Sequence, residues 1–246
     1  LRRLHVDSKK IKKVYEIYGD DYIVSATPTD EEKVELRLPS EFKSLLKKPK
    51  GLNPLYKKVV QYAKDRGISK EDIIRYNIGY CDSGIYNNRI IIPSYDLDNR
   101  LNYFIARSVF SEEKFKYKNP PISKNVTIFE NQINWQKPIT LCEGVFDAMS
   151  IKRNAIPLLG KFIPKTLMDN IYKKGVKEIK ILLDKDAQSQ ALYYVNYFMN
   201  NGITVTNILP TEKDAGDMGF TKVNKILKQT KKSGFEDIIS QKLMGI

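Results

Sequence analysis

Three acidic clusters follow apolar runs in this chain, and their residue types suit a metal site. Glu143 and Asp147 follow Thr140-Leu-Cys, Asp184 and Asp186 follow Ile179-Lys-Ile-Leu-Leu, and Asp214 and Asp217 follow Ile208-Leu-Pro. In an open parallel sheet, active sites form at the carboxyl ends of the strands, where residues distant in sequence converge. Hard divalent cations such as Mg²⁺ take oxygen ligands of this kind. Asp184 and Asp186 are two apart, so their side chains share a face if the strand continues through them. Two such carboxylates repel, and a cation between them relieves the repulsion. Glu143 precedes Gly144 at a strand-to-helix turn, where backbone can approach a ligand closely. Taken singly, each cluster reads as ordinary capping chemistry. Taken together at strand ends of one layer, they read as a metal site that handles phosphates.

The rest of the chain has the opposite charge. Lys and Arg number 42 against 29 Asp and Glu, a net charge of +13. That excess favours a polyanionic partner, nucleic acid or an anionic membrane. No apolar run approaches the ~20 residues that span a bilayer, and the start, Leu1-Arg-Arg-Leu-His, does not read as a signal peptide. Nucleic acid is therefore the expected partner, with no membrane. A start at Leu1 instead of methionine reads as a fragment or processed product. Cys81 and Cys142 stand far apart, which predicts reduced thiols and a cytoplasmic setting. With His5 as the one histidine and no Cys-x-x-Cys pair, no zinc site is expected within the chain. His5 itself reads as part of a solvated basic arm over 1–13, with Lys47-Lys48-Pro49-Lys50-Gly51 as a linker.

These residues need elements to position them. Leu55, Tyr56, Val59, Val60 and Ala63 recur at helical spacing, predicting a helix over 54–66 that Gly67 stops. Ser69 and Asp72 form a capping box for a second short helix. Strands over 89–95 and 101–107, joined by the turn at 96–100, predict an antiparallel hairpin. After Pro138 the pattern alternates. Strands over 139–142, 156–159, 176–183 and 203–209 are separated by helices over 145–153, 164–174 and 188–200, the signature of a doubly wound α/β layer. The tail over 220–246 reads as helical. Tyr193, Tyr194, Tyr197 and Phe198 fall at helical spacing and read as core, as do most of Tyr80, Tyr86, Tyr95 and Tyr103. Trp135 is expected to pack at the junction of two subdomains.

Glu143-Gly144-Val-Phe-Asp147 followed by Leu182-Leu-Asp184-Lys-Asp186 resembles the TOPRIM domain of primases, topoisomerases and some nucleases. Ala63-Lys-Asp-Arg66-Gly67-Ile68, Tyr76-Asn-Ile78-Gly79-Tyr80 and Asn88-Arg89-Ile-Ile-Ile-Pro93 resemble the N-terminal subdomain of the bacterial-type DNA primase core. Ala106-Arg107 and Lys116-Tyr117-Lys-Asn119-Pro120 continue that resemblance in the same order. It runs over about 54–220, and its style is similar to phage-encoded members of the family. The fold class it implies is α/β, a TOPRIM Rossmann-like layer with a mostly parallel sheet, preceded by a mixed α+β basic subdomain. The division expected is a basic segment and linker over 1–50, the primase-type subdomain over 51–137, TOPRIM over 138–219 and a helical tail over 220–246.

The resemblance implies RNA primer synthesis on single-stranded DNA from ribonucleoside triphosphates during replication. Glu143, Asp184 and Asp186 would be catalytic and hold Mg²⁺ or Mn²⁺, with Asp214 and Asp217 in the same metal patch and Asp147 supporting them. Arg89, Arg107, Lys116, Tyr117 and Asn119 would bind nucleotide or template, both arginines on the carboxylate side of the hairpin. A replicative helicase would be met through regions outside this chain, in the host cytoplasm if the chain is phage-encoded. The sequence departs from the family at Glu130, where a lysine is usual, and carries no preceding zinc ribbon. A metal-dependent TOPRIM nuclease, or a non-catalytic DNA-binding or recombination-mediator module, are the alternatives.

Overall fold

A computed structural model of the protein describes residues 36–152, 154–212 and 215–229. The basic arm with His5, the tail beyond 229, Asp214 and the side chain of Asp217 lie outside the described residues. The elements form an antiparallel and a parallel sheet with helices, a mixed α/β fold.

The antiparallel sheet has the order β1-β2-β3-β4: Phe42–Ser44, Gly79–Cys81, Arg89–Tyr95 and Leu101–Ser108. In β3 and β4, Ile90, Ile92, Tyr103 and Ile105 join one buried cluster, whereas Ile91, Phe104 and Ala106 join another. Both faces of the hairpin are thus covered, which suits its Ile-rich sequence. Pro93 is tolerated in β3 because β2 pairs with it only as far as Ile91. The edge strand β1 comes from the stretch read as a charged linker. Leu38 and Phe42 pack on Cys81, Tyr86 and Phe104, so three residues of strand form inside a lysine-rich segment.

Close approach of β1 to β2 depends on Gly79. A Cβ there would lie 2.3 Å from the Phe42 ring and 2.4 Å from the Lys43 carbonyl oxygen. Gly79→Ala is therefore expected to push β1 off the sheet and cost about 1–3 kcal/mol, as overpacking does. A fall of several degrees in the thermal midpoint checks it.

Helix α1, Pro54–Asp65, starts as its sequence predicts, with the Tyr56 N–H donating to Asn53 Oδ1 at 2.8 Å and Pro54 at its first position. Helix α2, Lys70–Arg75, carries the expected capping box, and its Asp72 also pairs with Lys152 Nζ at 3.1 Å. That ion pair ties α2 to the second half of the fold.

The second sheet is parallel throughout, in the order β6-β5-β7-β8: Ala155–Pro157, Ile139–Cys142, Glu178–Leu182 and Thr204–Asn207. Helices α3 (Val145–Ile151), α4 (Lys165–Lys173), α5 (Gln188–Asn200) and α6 (Ala215–Gln229) connect or follow these strands. Helix α6 is interrupted at Gly219, whose φ of 69° and ψ of 164° are not helical. Tyr194 and Phe198 of α5 are buried as expected, whereas Tyr193 on the same helix is 51% exposed.

Two clusters divide the core. One, with Ile139, Ile156, Ile179 and Phe198, lies among the parallel strands, α4 and α5. Trp135 belongs to it and not to the junction of the sheets, because Ile133 and Trp135 fold directly onto the parallel sheet. The junction is the other cluster, where Ile90, Ile105 and Phe129 meet Cys142, Val145, Ala148 and Val223. Both cysteines are free and buried. Among the described residues no helix is long and apolar enough to cross a membrane.

Candidate active site

Strand β5 ends at Cys142, so Glu143 stands at its carboxyl end and Gly144 caps α3. Strand β7 ends at Leu182. The chain then passes through Asp184 into a 3₁₀ turn, Lys185–Ala187. The shared strand face expected for Asp184 and Asp186 is therefore absent, because the strand stops before either. The turn gathers them instead. Glu143, Asp184 and Asp186 can each offer one carboxylate oxygen within 4.8 Å of the others. Glu143 Oε1 also accepts from the Asp184 N–H at 3.3 Å. Gln188 Nε2 donates to the Leu183 and Asp184 carbonyls at 3.1 and 3.0 Å, and Lys185 Nζ to that of Thr211 at 3.0 Å. The acidic loop is held on three sides.

Asp147 is buried and uses both oxygens on backbone. Oδ2 accepts from the Gly144 N–H at 2.8 Å and Oδ1 from the Gly216 N–H at 2.7 Å. One carboxylate thus joins the starts of α3 and α6, and through Gly144 it fixes the residue after Glu143. Asp147→Ala is expected to cost about 3 kcal/mol, since two N–H groups lose a charged acceptor. Chemical denaturation measures that loss, and Asp147→Asn should recover part of it.

The acidic loop opens on a cavity of about 480 Å³. Glu143, Asp147 and Asp184 line it, together with Arg66, Arg107, Lys116, Tyr117 and Asn119, and with Phe146, Leu159 and Gly160. The Arg107 guanidinium lies over the rings of Tyr117 at 4.6 Å and Phe146 at 5.7 Å, while Arg66 lies over Phe146 at 5.1 Å. Arg107 Nε is buried without a hydrogen-bond partner among the described residues. Asn119 Oδ1 accepts from the Ala106 N–H at 3.2 Å, which moors its segment to β4. Carboxylates and guanidinium groups that line one space suit a ligand with both phosphate and metal.

No family model matches the sequence. The DNA primase of Mycoplasma genitalium is 28% identical over 153 residues, 57% of this chain, and the match spans 25% of that protein's length. A DNA primase domain from Pseudomonas aeruginosa superposes with a TM-score of 0.66 at 20% identity, covering 82% of this chain and 79% of that one. The catalytic domain of DnaG primase bound to single-stranded DNA gives 0.63 at 18% identity, covering 78% and 77%. The E. coli primase catalytic core gives 0.61 at 17% identity, covering 78% and 79%. The chain has the fold of a DnaG-type primase catalytic core.

Within this primase fold most of the expected site residues converge. Glu143, Asp147, Asp184, Arg107, Lys116, Tyr117 and Asn119 line one cavity, with Asp186 joining the acidic cluster. Arg89 does not. It pairs with Ser108 in the sheet while Arg107 pairs with Ile90, so the two arginines occupy opposite faces. Arg89 is buried, and its Nη1 and Nη2 donate to the carbonyls of Asn87 and Phe115, both at 3.0 Å. Arg66 and Phe146 line the cavity although neither was expected there. Arg66 follows α1 directly, where a cation reads as a partner for the helix's last carbonyls, and only the packing of α1 turns it inward. Glu130 is the position at which the sequence reads as departing from the family. It accepts a hydrogen bond from Asn170 Nδ2 at 2.9 Å, burial pushes its carboxyl up, and it does not line the cavity.

Proposed function

We propose that this chain is the catalytic core of a DNA primase, a nucleotidyltransferase that makes short RNA primers on single-stranded DNA during replication. The observation that supports this reading is the cavity itself. Glu143 and Asp184 of the acidic cluster, with Asp147, line it together with Arg66, Arg107 and Lys116, within a primase core fold.

Glu143, Asp184 and Asp186 fit a hard divalent cation by donor chemistry, all oxygen and all anionic. They would hold Mg²⁺ or Mn²⁺, with Asp214 and Asp217 as further ligands. When bound, such ions neutralise charge on the reacting phosphate and the leaving pyrophosphate. The chain's own residues do the rest. Arg107 and Arg66 present planar guanidinium forks to phosphate oxygens, which a lysine cannot match. Lys116 adds a point charge, and Tyr117 and Asn119 flank the bound nucleotide or template. Asp147 positions the Glu143–Gly144 turn by holding its backbone. Residues 51–137 and 138–219 form the two subdomains that meet at this cavity, and the protein works in the cytoplasm.

Incubation with single-stranded DNA, ribonucleoside triphosphates and Mg²⁺ or Mn²⁺ should yield short RNA products. Template degradation without joining would replace this reading with a nuclease. Affinity for single-stranded DNA should fall steeply with salt, the logarithmic slope being about −0.7 for each phosphate neutralised. A flat response in a binding titration would remove nucleic acid as the reason for the +13 charge.

A further inference from the structure

We propose that Phe115 is a base-stacking position for single-stranded nucleic acid at the edge of the cavity, an assignment that rests on the reading above. Lys114-Phe115-Lys116-Tyr117-Lys118 alternates cation and aromatic, and all five residues are exposed. Phe115 is the most exposed of them among the large apolar residues, at 68%. A single exposed phenylalanine is ordinary on any protein. What distinguishes this one is how firmly its backbone is held.

Residues 116–118 add to the outer edge of β4. The Ser108 N–H donates to the Lys116 carbonyl at 2.8 Å and the Lys118 N–H to that of Ala106 at 2.9 Å. Arg89 spends a buried guanidinium on the Phe115 carbonyl itself, at 3.0 Å. Burying a guanidinium is costly unless it is hydrogen-bonded, so the bonds to Asn87 and Phe115 hold Arg89 and the Phe115 backbone together. The result is an apolar ring on a fixed backbone, with Lys116 and Tyr117, which line the cavity, immediately after it. A ring held in this way loses little freedom when a base stacks on it, and the lysines on either side attract the phosphates that link the bases. The alternation of charge and ring fits an extended single strand, whose phosphates and bases also alternate.

Fluorescence anisotropy with a labelled oligothymidylate tests this. Phe115→Ala should weaken binding roughly tenfold, within the range for loss of one base–aromatic stack. It should leave the salt slope and thermal midpoint unchanged. Phe115→Trp should restore affinity. Lys118→Ala should instead lower the slope by about 0.7. An oligonucleotide with abasic sites should bind the wild type and Phe115→Ala equally. If Phe115→Ala binds the intact oligonucleotide as the wild type does, the stacking assignment is wrong while the primase reading stands. If the wild type binds no oligonucleotide, both fall together.

Discussion

Replacing Asp184 by Asn is expected to abolish primer synthesis while the protein remains folded. Asp184 stands between Glu143 and Asp186 in sequence order around the cluster, and an oxygen of each can come within 4.8 Å of the others. Asn keeps the shape but removes the negative charge that a divalent cation requires. The Asp184 backbone contact to Glu143 Oε1 does not depend on the side chain, so the loop keeps its course. Synthesis should drop by about 10³-fold or more, the upper range for loss of one electrostatic stabiliser of a transition state. The thermal midpoint in the absence of metal should stay level or rise slightly, because a repulsion between close like charges has been removed. Calorimetric titration with Mn²⁺ should show weakened binding in the same variant. Primer synthesis at the wild-type rate would take Asp184 out of the mechanism.

The second large effect belongs to Arg107. Its guanidinium lies against the rings of Tyr117 and Phe146 in the cavity that the carboxylates line. Arg107→Ala should reduce synthesis by about 10²-fold, and Arg107→Lys should recover only part of it, since charge returns without the planar fork. Its melting temperature should move little. Arg89→Ala supplies the contrast. Arg89 is buried and bonded to two carbonyls, so its loss should lower stability by about 2–4 kcal/mol. Any fall in synthesis would then follow from a displaced Phe115–Tyr117 segment. An Arg107→Ala protein that melts far below the wild type, or that synthesises normally, would reverse the two roles.

Much of this was legible in the sequence because it depends on periods and chain direction. Alternation of apolar strand with amphipathic helix from 139 onward requires parallel strands, and parallel strands bring their carboxyl ends to one side. Glu143 and Asp184 could therefore be placed together from residue order alone, as could the helix starts at Asn53 and Ser69, where capping is a local matter. The TOPRIM-like and primase-like motifs added the identity of the neighbouring subdomain.

Tertiary structure decided what depends on register and on contacts between distant segments. Whether Arg89 or Arg107 faces the carboxylates follows from the pairing of Arg89 with Ser108. A shift of one residue would pair Arg89 with Arg107 and put both on one face, and no local signal records that register. Asp186 reaches the cluster through a 3₁₀ turn and not through an extended strand, because β7 ends at Leu182. Arg66 enters the cavity because α1 packs beside α3, bringing its guanidinium over Phe146. Strand β1 is three residues long, and it exists because Phe42 has an apolar face to cover and Gly79 leaves room for it. The sequence determined which residues stand at strand ends and helix caps, since those are fixed within a few positions of chain. The fold alone determined which cations meet which carboxylates, since that depends on pairings between segments tens of residues apart.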